Sequence, residues 1–80
     1  MRVLACKINP FDMLQRIYFT DYETNEDILI ACAEMTELGQ VLTELAKSKK
    51  VTHIHLFGIK DYCIDIMDKL KELNIKIEVN

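Results

Sequence analysis

Apolar positions first recur at every second residue, then at intervals of three and four, and the two spacings exchange three more times along the chain. Arg2–Ile8 reads as a strand with Leu4, Cys6 and Ile8 on one face and Val3 and Ala5 on the other, closed by Asn9-Pro10. Arg16–Thr20 places Ile17 and Phe19 opposite Arg16, Tyr18 and Thr20, and the polar run Asp21–Asp27 turns the chain. Ile28–Ala33 is apolar on both faces, the pattern of a strand that is internal or covered. Thr36–Lys47 then sets Leu38, Val41, Leu42 and Leu45 on one helical face, with Gly39 as an internal weakness of about 1 kcal/mol relative to alanine. Val51–Phe57 returns to strand and Gly58 breaks it. Asp61–Leu73 forms the second helix, its stripe running Ile59, Cys63, Ile66, Leu70 and Leu73. Asn74 suits a left-handed cap before the final strand Ile75–Val79.

The predicted order is therefore βββαβαβ in a single α/β domain spanning residues 1–80. Short links allow the first three strands to form an antiparallel meander. Adding the last two strands beyond the first gives the order 3-2-1-4-5 in a mixed five-stranded sheet. Right-handed crossovers then put both helices on one side. The expected architecture has two layers, and its second sheet face has no element left to cover it.

This element order resembles the ribonuclease-H-like superfold, also found in small resolvase-like domains, over most of the chain and in topology alone. In catalytic members a carboxylate on the first strand and another near the end of the fourth hold a divalent metal for phosphodiester cleavage. Here the first strand carries Cys6 and Lys7 but no acid, and the fourth ends at Phe57-Gly58, with Asp12 and Asp61 only nearby. The resemblance thus implies the fold without the activity.

Composition narrows the function classes. A net charge of −3 lacks the basic stripe of a general nucleic-acid binder. The alternative nucleic-acid contact is the turn bearing Lys47, Lys49 and Lys50, which also reads as a solvated loop. No long apolar run suggests a membrane span, and the N-terminal segment does not read as a signal peptide, so the cytoplasm is the expected location. Cys6, Cys32 and Cys63 form no close metal pattern and no disulfide framework; each lies in an apolar stretch and reads as a reduced core thiol.

Candidate chemistry centres on His53 and His55, which share a strand face with Phe57. Two imidazoles are an incomplete zinc set, so a His/Cys metal module is the weaker reading and a polar interface row the stronger. Tyr18 joins them as an interface candidate, with an aromatic body and a polar tip; Tyr22 and Tyr62 offer the same chemistry. Phe11, Met13 and Leu14 are expected to close one end of the core rather than form a recognition loop. Asp21, Glu23, Glu26 and Asp27 lack calcium-loop order and read as a solvated turn. Asp61 is a candidate N-cap, and Asp65–Lys69 has helix-pair spacing. There is no phosphate-binding glycine loop or dinucleotide fingerprint, and Ser48, the sole serine, sits beside the lysine turn. The expectation is a non-enzymatic accessory or regulatory domain without cofactor. It associates with another protein or as a homo-oligomer, through the open sheet face or a sheet edge.

Overall fold

A computed structural model describes all residues except Met1, Tyr22, Glu23 and Asn25, and describes Asp21 by its backbone alone. The strands are β1 (Arg2–Ile8), β2 (Gln15–Asp21), β3 (Glu26–Ala33), β4 (His53–Gly58) and β5 (Lys76–Val79). The helices are α1 (Leu38–Lys49) and α2 (Lys60–Lys69), α1 preceded by a 3-10 turn at Met35–Glu37 and α2 followed by one at Lys71–Leu73. The sheet order is β3-β2-β1-β4-β5, with β1–β2 and β2–β3 antiparallel and β1–β4 and β4–β5 parallel. This is the predicted two-layer α/β fold, and it matches the ribonuclease-H-like element order. Neither β1 nor β4 carries an acidic residue.

The core lies between the sheet and the two helices. Leu4, Cys6 and Ile8 from β1, Ile17 from β2 and Ile54 and Leu56 from β4 meet Leu38, Leu42 and Ala46 of α1 and Cys63, Ile66 and Leu70 of α2. Strand alternation sends one residue in two into this layer, and the i, i+4 spacing of the helices answers it. Gly39 is more than a weak helical position. A Cβ there would press on the Lys69 side chain, so its absence lets α2 lie close against α1. Gly58 ends β4 with φ +128°, and any side chain would collide with the Ile8 carbonyl oxygen. Both helix-end turns close on left-handed residues, Lys50 after α1 and Asn74 before β5.

Five expectations change. β3 holds the edge position that the predicted order gives it, but its two apolar faces are not those of an internal or covered strand, since Ile28 and Leu29 remain 53% and 51% exposed. Ile59 falls outside the α2 stripe because it is the extended residue preceding the helix (φ −74°, ψ 119°), and for the same reason Asp61 lies inside the first turn and is not the N-cap. Asp65 and Lys69 make no ion pair; Asp68 and Lys71 do, at 3.1 Å on the surface. Phe11, Met13 and Leu14 do not close the core, since Phe11 and Met13 are 88% and 89% exposed. Gln15, only 1% exposed, fills that end instead. Its side-chain nitrogen donates to the carbonyls of Asn9 (2.9 Å) and Asp12 (3.0 Å), and its oxygen accepts from the Asn9 N–H (2.7 Å). One amide therefore satisfies the backbone of the β1–β2 loop and leaves the apolar side chains outside.

Candidate functional site

The sheet face away from the helices follows from strand register. Its central row runs Leu29, Tyr18, Ala5, His55 and Glu78 across β3, β2, β1, β4 and β5. Above it lie Asp27, Thr20, Val3, His53 and Lys76; below it lie Cys32, Arg16, Lys7 and Phe57. The predicted interface residues Tyr18, His53, His55 and Phe57 therefore share one face, and all four are half-buried. Among the described residues no helix or strand lies over this face.

Size differences between neighbouring strands shape the surface. Val3 and Ala5 on β1 are short, whereas Tyr18 on β2 and His55 and Phe57 on β4 stand higher on either side. The result is a concavity of about 350 Å³ lined by Val3, Ala5, Tyr18, Thr20, Asp27, His55 and Phe57. The His55 and Phe57 rings meet in a tilted pair, centroids 5.6 Å apart and planes at 56°, which stiffens one wall. The Thr20 hydroxyl donates to the Asp27 carboxylate on the opposite wall. His55 Nε2 is buried and has no hydrogen-bond partner, an arrangement that costs free energy while it persists. His53, by contrast, sits with Nδ1 2.9 Å from the Thr52 hydroxyl oxygen.

The alternative chemistries are dispersed. Among the described residues, no three of the His, Cys, Asp and Glu side chains converge in a metal-binding group, so His53 and His55 stand as a pair on their strand. The lysines expected in a turn lie instead in the last turn of α1 (Lys47, Lys49) and at its C-cap (Lys50), in three different surroundings. Lys47 lines a groove between the helices, Lys49 reaches over the Phe19 ring at 6.0 Å, and Lys50 is the left-handed residue of the helix end. Asp12 lies in a small depression with Lys7, Arg16 and Tyr18, while Asp61 is exposed on α2. Tyr22 and Glu23 lie outside the described residues. Cys6 and Cys63 are core thiols as expected. Burial, and secondarily the neighbouring Cys63, pushes Cys6 up to about 12, and burial raises Cys63 as well. Cys32 departs from expectation because it sits exposed on the open face of β3.

Sequence reasoning missed Cys32 and Leu29 as members of the open face. The regular alternation of β3 would not put both there. A bulge opposite Ile17 and Tyr18 shifts the register, so that Tyr18 faces Leu29 while Arg16 faces Cys32. No protein-family model and no curated protein matches the chain. Among the described residues, no helix is long and apolar enough to cross a membrane.

Proposed function

We propose that this chain is a non-enzymatic interaction domain, an accessory or regulatory subunit that self-associates through its open sheet face or the edge beside it. The observation that carries this reading is the uncovered face itself. One side of the sheet is sealed by two helices, while the other presents a concavity with an apolar floor, aromatic walls and a buried imidazole nitrogen lacking a partner. A partner layer removes such a surface from water, and about 25 cal/mol per Å² of apolar area favours that removal. The polar rim of Thr20, Asp27 and His53 supplies orientation rather than bulk affinity.

Sedimentation velocity from micromolar to near-millimolar protein tests the reading. Concentration-dependent association is the expected result. A chain that stays monomeric throughout that range would remove self-association from the proposal.

A further inference from the structure

The two edges of the sheet are built differently. β5 has four residues, and its outward positions are Lys76 and Glu78, an ordinary guard against strand pairing. β3 has eight residues, contains neither lysine nor proline, and exposes Ile28 and Leu29 on opposite faces. Its sequence is that of a strand flanked on both sides, yet within one chain only β2 flanks it.

We propose that β3 pairs antiparallel with β3 of a second copy, about a two-fold axis normal to the sheet. This pairing rests on the self-association reading above and specifies its surface. A two-fold axis of this kind keeps core face with core face and open face with open face. Asp27 and Cys32 both lie on the open face because the bulge separates them, while Ile28 and Ala31 both lie toward the core side. Full overlap of the strand therefore sets Asp27 opposite the second copy's Cys32 and Ile28 opposite its Ala31 with faces matched, the bulge residues Leu29 and Ile30 falling at the axis. The same register favours the charges. The acidic starts of the two strands, Glu26 and Asp27, fall at opposite ends. Each Asp27 comes to lie near the second copy's Arg16, which neighbours Cys32 across β2. The guarded β5 edges stop the assembly at two chains. Strand pairing of this length buries roughly 1,000 Å² or less, which belongs to the weak, transient class of interfaces.

Cys32 makes the register testable. Directly opposed residues of antiparallel strands have Cα atoms about 4.5–5.5 Å apart, within disulfide range. Within one chain, Asp27 and Cys32 are five residues apart along the strand, about 16 Å, too far to bridge. The full chain carrying Asp27→Cys, oxidised mildly with diamide, is expected to give a covalent dimer that Asp27→Cys/Cys32→Ser does not form. Leu29→Lys, at an exposed position, is expected to weaken association at least about tenfold and by more than Phe57→Ala, three strands away on the open face. Association that survives Leu29→Lys but is lost in Phe57→Ala, with no Asp27→Cys cross-link, would overturn the edge pairing and leave the open-face reading standing. A monomeric wild-type chain with no cross-link would overturn both.

Discussion

A single strand displays two kinds of surface. On β4, Ile54 and Leu56 are completely enclosed beneath the helices, while His53, His55 and Phe57, alternating with them, are only partly buried. The backbone, register and hydrogen bonding are common to both sets. What differs is whether the chain has a second layer to place there. The helical side uses side-chain shape to specify a unique packing, and the open side keeps aromatic area, titratable groups and an unmet hydrogen bond near water. Stability belongs to one face of this strand; the other is where the proposed association would draw its contacts.

The contrast is most directly broken by Leu56→Ala. Removing a fully buried side chain between β4 and the helices is expected to cost about 2–5 kcal/mol, read from urea unfolding. A cost below 1 kcal/mol would mean the helices do not seal that face in solution.

Alkaline pH tests the same enclosure through Cys6. Its folded value of about 12 lies above the ordinary thiol value of 9.0, so the folded state keeps a proton that the unfolded chain releases. The contribution is complete below about pH 9 and is lost as pH rises toward 12, at about 1.4 kcal/mol per pH unit. Unfolding free energies measured from pH 8 to 11 should therefore fall less steeply in Cys6→Ala than in wild type. Parallel curves would show that the thiol is solvated.

On the open face the sign reverses. His55→Leu removes a buried nitrogen without a partner, and the single chain is expected to gain about 1 kcal/mol in stability. A loss of stability instead would reveal a hydrogen bond to His55 within the single chain.

The smallest perturbation only counts thiols. An aromatic disulfide reagent should modify Cys32 rapidly in the native protein and reach Cys6 and Cys63 only on unfolding. Rapid native modification of more than one thiol would contradict the division between enclosed and open faces.

Much of this arrangement was legible beforehand. Two-residue alternation placed His53, His55 and Phe57 together, and the i, i+4 run through Cys63, Ile66 and Leu70 located the buried side of α2, because both patterns depend on local backbone geometry alone. The loop after β1 departs from its hydrophobic pattern for a physical reason. Hydrophobicity suggested that Phe11 and Met13 would turn inward, but that space needed backbone hydrogen-bond partners, which Gln15 supplies and a phenyl ring does not. β3 was misjudged because residue pattern reports how much apolar surface a strand carries, and not whether its own chain provides the cover.

The sequence by itself determined the order of strands and helices and the apolar side of β1, β4 and both helices, since these follow from periodicity. Tertiary structure alone decided that Gln15 closes the sheet end, that Gly39 admits the Lys69 stem and that a bulge brings Leu29 and Cys32 onto the open face. Those outcomes depend on contacts between segments distant in the chain, where packing volume and hydrogen-bond satisfaction outweigh local preference.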